Sequence, residues 1–303
     1  MRIFITGGAG FIGIHLCKKL LELNHDITVY DNFSNSSKDN FESIIKQKIT
    51  LISGDILDLS KLDASMKDHD VVIHLAAQIS VSESIKNPKS TFEINVNGTQ
   101  NVLDACLKNN ITKIIATSTA AVYQNTSTKT ILDETSPVEP LSPYGESKLE
   151  MENKIIAFCS VHKINASILR LFNVYGIGQS LEYAGVITKF YEKLQNNSPL
   201  IIFGDGTAVR DFVHVDDVIN AIILSISYSN SFTCNIASGT STSVSDLAKT
   251  MIALSHKDLK IMNQPSRTGE IMFSAADITL AKKNLGFMPK TSLKSGLEQF
   301  MSK

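Results

Sequence analysis

The sequence has no excess of charge of either sign. Lys and Arg number 29 against 30 Asp and Glu, for a net charge of −1. No global basic field exists to hold nucleic acid or an anionic membrane, so neither is an expected partner. An anionic substrate would have to be met by a few local Arg or Lys side chains. Cysteine is scarce: Cys17, Cys106, Cys159 and Cys234 lie far apart, and no C-x-x-C spacing or other metal-ligand pattern occurs. Free thiols in a reducing, cytoplasmic setting are expected, and no metal. No apolar run approaches the roughly 18–20 residues needed to span a bilayer. Residues 1–7 run straight into a strand-like segment, and no cleavable leader is expected there. No internal repeat is visible.

Against these absences stand 43% hydrophobic and 19% charged residues over 303 positions. That is enough for a substantial core in one large unit or two close lobes. Short β-branched runs alternate with helix-period stretches from the start. Arg2 to Thr6, Ile27 to Tyr30, Ile49 to Ile52, Val71 to His74, Ile114 to Thr117 and Ser167 to Leu171 read as strands, and Phe11 to Leu23 as an amphipathic helix. The alternation predicts an α/β fold, a doubly wound parallel sheet with right-handed crossovers. Pro137, Pro140 and Pro143 lead into a helix that starts near Tyr144. After about Asn173 the pattern shifts to helices with shorter strands, which marks a smaller C-terminal substrate lobe.

Gly7, Gly10 and Gly13 are spaced G-x-x-G-x-x-G directly after the first strand and open the first helix. This order suits a dinucleotide: a tight turn, close approach to a pyrophosphate, and free N–H groups at the helix N-terminus. Glycines alone often serve turns. Here Asp31 closes the second strand, where a carboxylate can accept from the adenosine ribose and would repel a 2′-phosphate, so NAD is expected over NADP. Asp55 and Ile56 follow the third strand. Leu75, Ala76, Ala77 and Gln78 follow the fourth, where strand ends line a cofactor cleft; taken singly, each could equally be a turn or packing residue.

Tyr144 and Lys148 form Y-x-x-x-K, four apart and so on one helix face. A nearby ammonium would lower the phenol's pKa and make Tyr144 a base near neutrality. A hydroxyl-rich strip, Thr117-Ser118-Thr119-Ala120-Ala121-Val122-Tyr123, lies 25 residues earlier. His74 and His214 sit in apolar strand contexts and read as supporting residues, not ligands.

Together with Arg170-Leu171-Phe172-Asn173-Val174-Tyr175-Gly176, Asn95-Val96-Asn97-Gly98-Thr99, the Gly204 to Phe212 segment and Arg267-Thr268-Gly269-Glu270, these motifs cover almost the whole chain. The sequence resembles the extended short-chain dehydrogenases, the NAD-dependent epimerase/dehydratase family, and within it the UDP-glucose 4-epimerases. The resemblance implies a Rossmann-type domain over 1–172, with about 212–238 returning to it, and a nucleotide-sugar lobe over 173–211 and 239–303. It implies Tyr144 as base, Thr119 as hydroxyl partner with Ser118 as fallback, and Lys148 on the nicotinamide ribose. It adds Phe11, Ile12, Asn32, Asn35, Asn95 and Thr117 to the cofactor set. Asn173, Val186 and Ser274 would face the sugar, with Thr119; Arg210 and Arg267 would bind the diphosphate.

Gln124 stands where the family has Gly, and Ile177 where it has Pro, which puts the two local loops in doubt. Related dehydratases carry Asp-Glu where this chain has Ala120-Ala121, and decarboxylating relatives a Glu in the same strip. What remains is C4 epimerisation of a UDP-hexose through a 4-keto intermediate, N-acetylated sugars included. A dehydrogenase, reductase or uronate epimerase of the same family and a non-catalytic NAD-binding module are the alternatives. A homodimer pairing the helices near Pro88 to Asn109 and Tyr144 to His162 is expected by the same analogy.

Overall fold

Among the described residues, thirteen strands form in chain order: β1 (Arg2–Thr6), β2 (Asp26–Asp31), β3 (Thr50–Ser53), β4 (Val71–His74), β5 (Lys113–Thr119), β6 (Asn165–Leu171), β7 (Asn173–Tyr175), β8 (Leu200–Phe203), β9 (Val209–His214), β10 (Phe232–Ile236), β11 (Ser241–Ser243), β12 (Ile261–Gln264) and β13 (Phe273–Ser274). The computed structural model describes residues 1–45, 49–125, 129–179, 185–266 and 271–302. The helices are α1 (Phe11–Glu22), α2 (Lys38–Ile44), α3 (Leu59–Ser65), α4 (Val81–Lys86), α5 (Pro88–Phe92), α6 (Gly98–Lys108), α7 (Pro143–His162), α8 (Val186–Gln195), α9 (Val215–Ser227), α10 (Val244–Ser255), α11 (Thr279–Leu285) and α12 (Leu293–Met301).

Seven strands pair in the order β10-β6-β5-β4-β1-β2-β3, all parallel. The expected doubly wound sheet is therefore present. Its central strands are covered on both faces, which is why they read as continuous apolar runs: all four residues of β4 are buried. One face packs α1 and α9 around Leu16, Leu20, Val218 and Ile222. The other packs α3, α6 and α7 around Leu62, Val102, Met151 and Ile155. The strand order reverses between β1 and β4, so a crevice opens at their C-terminal ends.

The remaining strands make smaller sheets. β9 pairs with β11, β13 and β7, and β8 pairs with β12. Tyr175, Ile187, Phe190, Leu200, Phe212 and Leu247 form a separate core there. The C-terminal stretch does not stay on one side. Ala281, Leu285 and Phe287, on and just after α11, join the core under the seven-stranded sheet.

Two local features set the frame of the site. α7 begins at Ser142, whose hydroxyl accepts from Gly145 N at 3.2 Å, with Pro143 in its first turn. Its buried stripe runs through Lys148, Met151, Glu152, Ile155 and Cys159, at helical spacing. A π-helical turn covers Glu93–Asn97. It turns Asn95 inward, where its amide donates to Gln78 O (3.0 Å) and Ser147 Oγ (2.9 Å) and accepts from Gln78 N (2.8 Å). One side chain thus ties the segment after β4 to α7.

Candidate functional site

A cleft of about 530 Å³ lies at the switch point of the seven-stranded sheet. Gly7, Gly10, Phe11, Ile12 and Gly13 line it from the first turn, and Asp31, Asn32 and Asn35 from the end of β2. Asp55 and Ile56 follow β3, and Leu75, Ala76, Ala77 and Gln78 follow β4. Thr117, Ser118 and Thr119 of β5 face Tyr144 and Lys148 of α7 across its other end. Residues scattered over the first half of the sequence thus share one wall. Asn95 is not on that wall. It sits buried behind it, holding Gln78 in place.

The glycine turn is sterically required. Gly7 has φ of 70°, and a Cβ there would stand 2.5 Å from Ala76 N. A Cβ on Gly13 would stand 2.4 Å from Gly8 O, so α1 can pack this closely only without one. α1 then starts with no side-chain cap and no acid in its first turn. Its leading N–H groups are available to an anion, which is the cradle a pyrophosphate needs.

Asp31 does more than close β2. One carboxylate oxygen accepts from Ala9 N at 2.9 Å, and the other from Phe33 N at 2.8 Å and Ser36 Oγ at 3.4 Å. It clamps the glycine turn to the next strand end. Burial pushes its pKa up, and these hydrogen bonds oppose that shift. Asn32 Nδ2 donates to Asp55 Oδ2 at 2.9 Å, joining the ends of β2 and β3. The wall therefore fits an adenosine diphosphate through fixed backbone, two braced acids and small residues.

At the far end Tyr144 and Thr119 line the same part of the cleft, and the Thr119 hydroxyl acts to lower the phenol's pKa. Thr119 Oγ1 also accepts from Ala121 N at 3.2 Å. Lys148 is 4% exposed. The expected lowering of the Tyr144 pKa by Lys148 is not what the structure gives. Burial pushes the phenol above its ordinary value, against the effect of the Thr119 hydroxyl. Lys148 is itself pulled down to about 8 by burial, against the attraction of Glu152, and its Nζ is hydrogen-bonded to Met151 Sδ at 3.1 Å. Helical spacing places two side chains on one face but does not say which neighbour each one meets. His74 is a buried brace: its ring nitrogens lie 2.7 Å from Thr6 Oγ1 and 2.9 Å from Thr99 Oγ1. Burial first, and the Lys148 charge second, pull it to about 3, so it is neutral.

Of the residues expected to meet a sugar nucleotide, Thr119 lines the cleft, whereas Asn173, Arg210 and Ser274 lie on the smaller sheet, outside the cleft wall. Ser274 on β13 is the register partner of Arg210 on β9. Arg210 Nη1 donates to Val209 O at 2.8 Å. Asn173 on β7 donates to Asp211 O at 3.1 Å. Val186 is the first residue of α8 and packs on that lobe's core. Arg267 lies outside the described residues. Of the two loops where the chain departs from its relatives, Gln124 is held by Pro137 O and Glu139. Ile177 O lies 2.8 Å from His15 Nε2.

The cleft also contains residues that the sequence reading did not select. Phe172 follows the end of β6 and completes the wall beside Thr119; the rule that strand ends line the crevice could have found it. Gln179 reaches the cleft from a loop and accepts from Thr188 Oγ1 at 3.2 Å, with no signal in the sequence. Glu83 enters from α4.

The model of the NAD dependent epimerase/dehydratase family matches residues 3–237. A candidate UDP-glucose 4-epimerase of Methanocaldococcus jannaschii is 40% identical, over 99% of this chain and 97% of its own length. The crystal structure of UDP-glucose 4-epimerase from Thermotoga maritima, with UDP-glucose, superposes with a TM-score of 0.94 at 33% identity, covering 100% of this chain and 98% of that one. UDP-N-acetylglucosamine 4-epimerase from Methanobrevibacter ruminantium, in complex with UDP-N-acetylmuramic acid, also gives 0.94, at 31% identity over 99% and 97%. With its glycine turn, braced Asp31 and Tyr144–Thr119 pair in one cleft, the chain belongs to the NAD-dependent epimerase/dehydratase family.

Proposed function

We propose that this protein is an NAD-dependent enzyme that inverts C4 of a UDP-hexose, UDP-glucose and UDP-galactose first and their N-acetylated counterparts second. The observation that carries this reading is that Tyr144 and Thr119 share the cleft wall, with Thr119 followed by Ala120 and Ala121. The pair can hold and move one proton. The two alanines offer no second acid or base for eliminating water.

NAD, when bound, supplies the acceptor and donor of a hydride. Gly7, Gly10, Gly13, Asp31, Asp55 and the α1 N-terminus would hold its adenosine diphosphate half, and Thr117, Lys148 and Phe172 the other half. Thr119 would accept or donate at the sugar O4. Tyr144 would take the O4 proton and later return it. At pH 7, below its pKa of about 8, Lys148 is protonated and would offer a cation to the cofactor. Arg210, with Arg267, would anchor the diphosphate as a planar fork suited to paired oxygens, so that the sugar can turn over without leaving. Asn173, Val186 and Ser274 would line the sugar.

The division that goes with this reading assigns 1–172 and about 212–238 to the cofactor and 173–211 with 239–303 to the nucleotide sugar, α11 excepted. The pairing of β10 with β6 supports the return to the first sheet. A homodimer through α5, α6 and α7 is part of the same reading, supported by the exposed Leu107, Ile156 and Val161 on α6 and α7. So is a cytoplasmic location, supported by four buried free cysteines. No helix among the described residues is long and apolar enough to cross a membrane.

The test is incubation with UDP-glucose, UDP-galactose, UDP-N-acetylglucosamine and UDP-N-acetylgalactosamine, with separation of the C4 epimers and assay of NAD released on denaturation. Interconversion without net NADH is the expected result. Stoichiometric NADH would make the protein a dehydrogenase instead.

A further inference from the structure

Below Lys148 on the same face of α7 lies a carboxylate with no part in the chemistry above. Glu152 is 1% exposed, four residues along the helix. Arg170 on β6 holds it from the facing sheet with three contacts: Nε to Oε1 at 3.0 Å, Nε to Oε2 at 3.2 Å and Nη2 to Oε2 at 2.7 Å. The guanidinium in turn lies 4.9 Å above the Tyr123 ring, and the Tyr123 hydroxyl donates to Asn235 Oδ1 at 2.6 Å. The carboxylate is thus fixed from β6 and, through Tyr123, from β10. A buried ion pair of this kind is poor evidence for stability, because removing both charges from water costs as much as their attraction returns. Its placement calls for another account.

The surroundings of Lys148 supply one. His74 on β4 is neutral, Tyr144 on α7 carries a phenol raised by burial, and Arg170 on β6 is a second cation. Glu83 lines the same cleft from α4, but its side chain is 43% exposed and screened by water. Met151 Sδ, the hydrogen-bond acceptor at Nζ, is uncharged and weak. Glu152 is the buried anion whose attraction reaches the Lys148 ammonium.

We infer that Glu152, immobilised by Arg170, is a positioning residue that keeps Lys148 charged in its buried place. The inference rests on the reading of Lys148 as a cationic partner of the cofactor. Without Glu152, burial and Arg170 would both act to strip the proton from Lys148 at working pH. A pair that merely fills the core would have no such effect.

The discriminating experiment uses the full-length protein and follows two quantities against pH from 6 to 9.5: NAD affinity by calorimetry on cofactor-stripped protein, and turnover on UDP-glucose. Both should fall as pH rises through the Lys148 pKa, because the ammonium is lost. Glu152→Gln removes the opposing attraction and should move both basic limbs to lower pH by about one unit. Because that variant leaves Arg170 unpaired and could unfold, Glu152→Gln/Arg170→Met removes both charges at similar volume. It should still show the shift, smaller than in the single variant, with a wild-type-like melting temperature. Glu152→Asp should restore the limbs toward wild type. Unmoved limbs in a folded double variant overturn the inference. A shifted limb for NAD affinity with no epimerisation by any variant, wild type included, would support the Glu152 role and overturn the catalytic reading alone.

Discussion

In the proposed reading the seven-stranded sheet would meet its cofactor with strand ends and backbone, whereas the four-stranded sheet would offer the nucleotide sugar side chains from within short strands. At the first, Asp31 closes β2 and Gly7, Asp55 and Gln78 follow β1, β3 and β4, and each is braced by hydrogen bonds or by contact with the next strand end. At the second, Arg210 and Ser274 are side chains of β9 and β13, which pair in register. The first design fixes geometry before any ligand arrives. The second would leave selectivity to a few side chains of short strands. A cofactor that stays bound and a sugar that must turn over suit these two arrangements respectively.

The sharpest way to break this division is at the corner where the two ligands would meet. Tyr144→Phe removes one hydroxyl from a position whose backbone is held by Ser84 Oγ at 3.1 Å. Turnover should fall about 10²–10⁴-fold, the usual worth of a positioned acid–base group. NAD content after purification should stay at the wild-type level. Near-normal turnover would move the chemistry away from the β5–α7 corner altogether.

Arg210→Ala tests the second sheet alone. The loss of charge-assisted hydrogen bonds to a diphosphate should raise KM for the UDP-sugar about 10–150-fold. NAD affinity should be unchanged. Parallel loss of NAD would show that the two sheets do not divide the ligands as proposed.

A smaller effect is expected at the other end of the cleft. Asp31→Asn keeps an acceptor for Ala9 N or Phe33 N and removes the negative charge. The preference for NAD over NADP, measured as the ratio of dissociation constants, should narrow by about 10–30-fold, or roughly 1.4–2 kcal/mol. An unchanged ratio would leave Asp31 as a brace for the glycine turn and nothing more.

The same contrast decides what could be read from the sequence. β1, β2 and β4 were legible because a strand buried on both faces shows as an uninterrupted apolar run, and because the glycine spacing and Asp31 follow those runs directly. Thr119, Tyr144 and Lys148 were legible as a set, but not their contacts. Lys148 meets Met151 Sδ and feels the charge of Glu152 because α7 is buried along that whole stripe, and burial then reverses the sign expected for the Tyr144 phenol. Asn95 looked like a wall residue, yet a π-helical turn, which no propensity announces, swings it behind the wall. Gln179 and Glu83 reach the cleft through loop and helix placement that only the folded chain defines. β13 has two residues and β7 three, too few for any period to appear, so Ser274 and Asn173 could be chosen only by family likeness.

Ser274 therefore carries the finest test of the comparison. It is 7% exposed, lies in register with Arg210, and is followed by the buried Ala275 and Ala276. A serine there leaves volume that an aromatic ring would fill, and its hydroxyl can bond an amide. If the sugar's C2 substituent lies beside it, the wild-type enzyme converts the N-acetylated pair as well as the unmodified pair. Ser274→Tyr should then lower kcat/KM for the N-acetylated pair roughly tenfold relative to the unmodified pair, the scale on which pocket volume discriminates. The larger ring in a packed strand also carries an overpacking cost of about 1–3 kcal/mol, so melting temperature must be followed in the same samples. A ratio that changes while the protein stays folded places Ser274 in the sugar pocket. Equal loss of both activities with a lowered melting temperature places its side chain in the core of the smaller sheet, and selectivity must then come from elsewhere on β9 or from α8.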